Sequence, residues 1–185
     1  VINMSIIDYY NDKIYDLYYI LKDSNADLDF YKLSKIFEYY TCIKLKEEFN
    51  QEFYEYMDIS PDFKELHGMS KNDSGIDCCN LTDTIVQCKL RKNNLTWKEC
   101  STFFSSQNTY CEKVNKTIIK WDNLVISRND NSKLSENLQI RHKIFLDKKY
   151  NIDELITYCN NLYLNPPIKI INKNKIILRD YQIES

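Results

Sequence analysis

Between residues 4 and 22, Ile6, Ile7, Tyr10, Ile14, Leu17, Tyr18 and Leu21 recur every three or four positions. That is the spacing of one apolar helix face. "DSNADLD" interrupts it. The same period resumes at Leu28 or Asp29 and predicts a longer helix reaching about Met57. Its apolar face carries Leu33, Ile36, Phe37, Tyr40, Leu45, Phe49, Phe53 and Tyr56, and Pro61 lies past its end as a stop. At Gly75 the period shortens. "GIDCCNL" and "TIVQCKLR" are short β-type runs joined at "TD", a hairpin. "TWKECSTFFSSQNTYCEK" returns to helical spacing, with Thr96 as N-cap and Glu99 three residues on, the capping-box arrangement. Residues 116–127 read as a strand, 128–132 as a loop, "KLSENLQIR" as a short helix and "HKIFLD" as a strand. "NIDELITYCNNLY" reads as a helix capped by Asn151. "NPP" at 165–167 marks a boundary, and a basic, apolar, extended tail follows. There is no internal repeat. The order predicts an α/β fold with a mixed central sheet flanked by helices.

Composition narrows this little. The chain has 185 residues, enough for one sizeable domain. It opens on Val1 and stops at "YQIES", and we expect it to be a piece of something longer. A net charge of −2 gives no global signal for polyanions, so any nucleic-acid contact has to come from a local basic patch. No apolar run approaches a bilayer span and no secretory pattern opens the chain. The seven cysteines are scattered, "CC" at 78–79 is not a CxxC pair, and only His67 and His142 offer imidazoles. The expectation is reduced core thiols in an intracellular, cytoplasmic protein, without a zinc site. The three N-x-T sequons arise by chance in so Asn-rich a chain. Abundant Ile, Asn, Lys and Tyr with two Gly and one Ala is the residue set of AT-rich codons.

The hairpin carries the candidate chemistry. Gln87 and Lys89 are two apart on a strand and emerge on one face, leaving Val86, Cys88 and Leu90 on the other. Asp77, on the preceding strand, is expected to sit across from them. A carboxylate, an amide oxygen and a backbone carbonyl such as that of Cys88 suit a hard cation, Mg²⁺ or Mn²⁺. Such an ion polarises a phosphate and lowers the pKa of a bound water, and Lys89 can hold that water or offset charge on phosphorus. The plain alternative is a turn-capping Asp77 and a solvated Lys89. Glu38 on the long helix offers a further oxygen. Arg91, Lys92 and Lys98 extend the basic run that begins at Lys89, where a nucleic-acid backbone would lie.

These residues together resemble the PD-(D/E)XK nuclease superfamily, more closely its Mrr-like and restriction-endonuclease-like branch. The pattern is a helix with Glu ("IFEYYTCIKL"), then "D-x-GID" (73–77), a strand with "QxK" ("IVQCK"), and a helix ("WKECSTFFSSQ"). A later strand and helix ("NLVISRNDNSKLSENLQ") complete it. The resemblance spans about residues 31–163, after a helical extension over 1–30. It implies a restriction-endonuclease-like mixed sheet and metal-dependent hydrolysis of DNA phosphodiesters. Asp77 is implied as metal ligand, Gln87 as ligand where most relatives carry an acid, Lys89 as catalytic lysine and Glu38 as helix glutamate. Ser105 and Gln107 are implied at the DNA or in the metal's water shell. Gln87 brings no charge, so the ion would be held by fewer anions. Asp73 competes with Asp77 and reads better as a turn residue. Gly75 marks a point of unusual backbone freedom or close approach.

The tail "ILRDYQIES" resembles the Q motif that opens superfamily 2 helicase cores, which implies adenine recognition by Gln182 and a helicase following residue 164. No G-x-x-x-x-G-K-[ST] is present, so this piece would not bind ATP productively. A nuclease-like domain leading into a helicase resembles the large helicase proteins of nucleocytoplasmic large DNA viruses, which places it in a viral factory or virion. Three further readings remain open: a nucleic-acid-binding module that lost cleavage and assists the helicase, an RNA-cleaving enzyme on the same fold, and a purely structural or interaction domain with no nucleic-acid role.

Overall fold

The computed structural model describes residues 4–24, 30–72, 75–108, 110, 119–141 and 144–168. In chain order they form α1 (Ile6–Asp23), α2 (Phe30–Phe49), β1 (Tyr54–Glu55), a 3-10 turn (Tyr56–Asp58) and α3 (Pro61–Leu66). β2 (Cys78–Cys79), β3 (Thr84–Lys89), α4 (Trp97–Ser105) and a second 3-10 turn (Ser106–Asn108) follow. The chain continues through β4 (Asn123–Asn129), α5 (Glu136–Arg141), β5 (Leu146–Tyr150) and α6 (Ile152–Leu164). The strands lie in chain order in one sheet. β1, β2 and β3 pair antiparallel; β3, β4 and β5 pair parallel, with helices in the crossovers. The fold is a mixed α/β sheet with helices. None of the described helices is long and apolar enough to cross a membrane.

α2 is the central helix. It meets β1 and β3 on one side and α1 on the other, and α1 in turn meets α6. That double coverage explains why Leu33, Ile36, Phe37, Tyr40, Ile43 and Leu45 are all buried. Thr41, fully buried as well, resolves its hydroxyl on Ser127 of β4 at 3.0 Å. α1 buries Ile6, Tyr10, Ile14, Tyr18 and Leu21, the predicted stripe, in the same core. Its tyrosines end in polar contacts: Tyr10 Oη accepts from the Glu55 N–H (2.7 Å), and Tyr18 Oη donates to Asn160 (2.8 Å).

Several boundaries differ from the sequence reading, each for a local reason. The second helix ends at Phe49, not near Met57. Asn50 takes the left-handed conformation (φ 53°) while its N–H still bonds to the Lys46 carbonyl, an αL cap. Phe53 and Tyr56 are buried as expected, but from the residue before β1 and from the 3-10 turn, where their spacing mimics a helix. Pro61 starts a helix instead of stopping one. It is the first residue of α3, with the Ser60 hydroxyl accepting from Phe63 N–H. β4 runs on through Arg128 and Asn129, read as loop because they are polar. Arg128 is paired with Asp147 (Nε to Oδ1, 3.1 Å), and the Asn129 amide oxygen accepts from Arg91 N–H (2.9 Å). The predicted caps hold: Thr96 and Glu99 form the reciprocal capping box, and Asn151 caps α6. The tail, with Gln182, and Asp73 lie outside the described residues.

Candidate functional site

The hairpin turn is built by one side chain. Asn80 accepts from the backbone N–H groups of Thr82, Asp83 and Thr84 and donates to Gln51 and Asp83. Its amide is committed and 7% exposed, which leaves no room for a glycan at that sequon. The turn presents β3 in fixed register to β2, with Cys78 opposite Val86. Asp77 N–H also bonds to the Val86 carbonyl (2.9 Å). Two successive residues thus share one partner, as in a β-bulge, a feature that re-aims a side chain.

Asp77 is re-aimed toward α2. Its Oδ2 accepts the Cys88 N–H at 2.6 Å. It lines a cavity of about 290 Å³ together with Glu38 and Lys35 of α2, Glu55 of β1, and Tyr31 and Met57. Lys35 Nζ lies 2.6 Å from Glu38 Oε2 and 2.7 Å from Glu55 Oε1. Burial pulls the Lys35 ammonium down, but the two carboxylates outweigh it and hold its pKa well above the usual lysine value. Glu55 is almost fully buried, and its second oxygen accepts from Met57 N–H. The structure therefore brings Asp77 and Glu38 to one cavity. Glu55 and Lys35 join them without having been read from the sequence. The Lys35–Glu38 spacing of three was a visible signal. Glu55 gave none, because its segment looked helical.

Gln87 and Lys89 do not line that cavity. Cys88 faces α2, with its sulfur 4.0 Å from that of Cys78, which is 3.2 Å from the sulfur of Cys42. Alternation puts Gln87 and Lys89 on the opposite face, toward α4. The Gln87 amide donates to the Gly75 carbonyl (3.3 Å). Gly75 has φ +92°, and a Cβ there would lie 3.2 Å from Phe103 N of α4. The expected need for glycine is thus met twice over. Gln87 is 3% exposed, and among the described residues its Oε1 has no hydrogen-bond partner. Because Gly75 offers only an acceptor, the amide cannot be turned round to relieve this.

The two faces meet at Cys88. Its N–H holds Asp77, and Gln87 and Lys89 flank it in sequence. On α4, burial pushes the Cys100 thiol up to about 11, and both Lys89 and Asp77 act on it electrostatically. Burial likewise raises the thiols of Cys78 and Cys88 well above the ordinary value. Cys78 and Cys100 are core and Cys88 packs against it, and burial favours the protonated thiol in all three.

The basic residues spread along the α4 side. Arg91 Nε stands 3.7 Å from Glu99 Oε1. Burial works to raise the Glu99 carboxyl, but its bonds to Thr96 and the charges of Arg91 and Lys89 bring it below the usual range. Lys92 and Lys98 are exposed. The Ser105 hydroxyl donates to the Thr102 carbonyl, and Gln107 donates to the Trp121 carbonyl (2.9 Å), clamping the start of β4. Among the described residues, no three His, Cys, Asp and Glu side chains converge as a metal-holding group. An ion in the cavity would rest on Asp77 and Glu38; the Gln87 oxygen, on the opposite face of β3, would reach it only through water. That is an all-oxygen set suited to Mg²⁺ or Mn²⁺, with fewer than three anions. No protein-family model, curated protein or solved structure matches the chain.

Proposed function

We propose that this chain is a divalent-metal-dependent endonuclease domain of the PD-(D/E)XK type, hydrolysing DNA phosphodiesters ahead of a helicase. The observation that carries the reading is the Gln87 oxygen. It is buried, aimed by the Gly75 carbonyl and left without a partner, two residues before a lysine and beside the backbone that holds Asp77. A buried acceptor left unmade costs about 1–3 kcal/mol, a cost that a bound ion or an ordered water would remove. Element order supports the same reading: helix with Glu38, three antiparallel strands, helix, then a parallel strand.

Mg²⁺ or Mn²⁺ would supply charge against the phosphate and a water of lowered pKa. Asp77 and Glu38 would hold it from the α2 side, and Gln87, on the other face of β3, would reach it only through water. Lys89 orients the attacking water or offsets charge on phosphorus, and Arg91, Lys92 and Lys98 carry the strand's phosphates. A second reading, a DNA-binding module without cleavage, is favoured by the Lys35 ammonium that already occupies Glu38. Nicking of supercoiled plasmid with Mg²⁺ or Mn²⁺, wild type against Lys89→Ala, separates the two. The nuclease reading expects metal-dependent nicking reduced about a hundredfold or more by the substitution, the scale of a lost acid–base group. Equal inertness with retained DNA binding selects the binding module.

A further inference from the structure

One end of α4 carries an aromatic stack. The rings of Trp97 and Phe104 lie 4.4 Å apart at 11°, nearly parallel, and Phe145 packs on Phe104 at 5.0 Å. Phe145 belongs to the core, whereas Trp97 and Phe104 are only half-buried. The guanidinium of the exposed Arg141 lies over Trp97, 3.9 Å from the ring centre. One face of Trp97 thus rests on Phe104, and the other carries a flat, exposed cation.

A nucleobase fits the position of that planar group. Base stacking on an aromatic side chain, with Arg beside it, is how single strands are held without sequence preference. The surrounding charge is of the matching sign. Lys98 follows Trp97 in sequence, and Arg91 reaches the first turn of α4 through Glu99. Lys89 acts on the same Glu99, so the cations run from the proposed reaction site to the stack. Glu99 itself is spent on the Thr96 cap and Arg91.

We propose that Trp97, flanked by Arg141 and Lys98, is a stacking platform for an unpaired base of a DNA strand entering the site, so that the substrate is single-stranded or locally opened DNA. This rests on the nucleic-acid half of the reading above and not on cleavage. The test uses the protein with an oligodeoxythymidine of about 15 nucleotides, at low salt and in chelator, reading tryptophan emission and the oligomer's anisotropy. The chain's other tryptophan, Trp121, is 0% exposed, so a change on binding reports Trp97. The expected result is quenching by the single strand and none by a fully paired duplex of equal length. Trp97→Ala weakens single-strand affinity about tenfold, the scale of one stacked base. Trp97→Phe keeps the affinity and loses the emission change, which shows that the fold survives substitution there. Unchanged affinity in Trp97→Ala, or equal quenching by duplex, overturns the platform and leaves the nuclease reading standing. No binding of either oligomer removes both. Binding and quenching without metal-dependent nicking retain the platform and remove cleavage.

Discussion

The two faces of the sheet differ most in how their charged groups are paired, although each side keeps an unmet buried atom among the described residues, Asp58 Oδ2 beside α1 and Gln87 Oε1 toward α4. On the α2 face, Lys35 is shared by Glu38 and Glu55, the second Glu55 oxygen takes Met57 N–H, and Thr41 meets Ser127. On the α4 face, Gln87 keeps a buried oxygen with no partner among the described residues, and Trp97 carries an exposed cation on its outer face. A network whose groups satisfy one another has the character of structure. Leftover bonding capacity in a buried or half-buried place is where a ligand gains most, since it removes a standing cost. The faces also differ in charge, acidic around the cavity and basic along α4. A divalent ion would thus approach from one side and a phosphate chain from the other, meeting at Cys88.

The strongest way to break this contrast is to remove the shared cation of the α2 face. Lys35→Ala strands the nearly buried Glu55 carboxylate and takes the ammonium away from Glu38. Breaking a buried pair by deleting one partner costs about 3–5 kcal/mol; with Lys35 partly exposed, about 3 kcal/mol is expected in urea unfolding. A loss below about 1 kcal/mol would mean that the network is an ordinary surface pair, and the claim of a finished structural face would fall.

Next in size is Gly75→Ala, on the other face. The added Cβ meets the Phe103 backbone N at 3.2 Å, and φ +92° is strained for any L side chain. About 2 kcal/mol of destabilisation is expected, the usual scale of forced backbone conformation. The same shift would release the Gln87 amide from the Gly75 carbonyl. Mn²⁺ affinity, read by calorimetry on the fraction that remains folded, should fall with it. Wild-type affinity in Gly75→Ala would separate the glycine from the site.

How much of this could be read from the chain follows from the range of each interaction. The stripe of α1, the caps at Thr96 and Asn151, and the hairpin around Asn80 depend on neighbours within four residues, and their spacing is printed in the sequence. The end of α2 at Asn50 turns on one backbone angle. A helical apolar period running past it through Phe53 and Tyr56 concealed the change. Glu55 and Lys35 meet only because β1 folds back along α2, twenty residues on, so no local pattern announced the pair. The site itself was legible as a list of residues, not as an arrangement. Strict alternation put Asp77 beside Gln87 and Lys89, but two residues sharing the Val86 partner send it toward Glu38 instead. Arg128 was misread as loop because its charge hid a buried partner, Asp147, on a strand that had not yet been paired with β4.

A third substitution sharpens the contrast by separating stability from binding. Gln87→Leu removes the partnerless oxygen and one long hydrogen bond to Gly75. Relief of the unmet acceptor and loss of that bond nearly cancel. The variant should be no less stable than the parent, and up to about 1 kcal/mol more so. It should also weaken Mn²⁺ binding, since the Gln87 oxygen would act through a bound water. A variant at least 2 kcal/mol less stable would mean that the amide is structural, leaving the proposed ligand set without its uncharged member.

The smallest effect lies at Glu99, where α4 begins. Its carboxyl is held below the usual range by Thr96, Arg91 and Lys89, against burial, which acts the other way. A depressed carboxylate lends stability above its unfolded pKa and loses it as the pH falls through the folded value. Wild-type α4 should therefore weaken on acidification below the ordinary glutamate range, more at low salt than at high. Glu99→Gln keeps an acceptor in the capping box but drops the charge, so it should cost no more than about 0.5 kcal/mol at neutral pH. Its unfolding should also slope less steeply with pH over that acid window. The same substitution leaves Arg91 and Lys89 without their shared anion, so single-strand affinity should rise modestly and its salt dependence steepen. Unchanged salt dependence would mean that those two cations do not face the strand, and the basic side of the contrast would then begin only at Lys98.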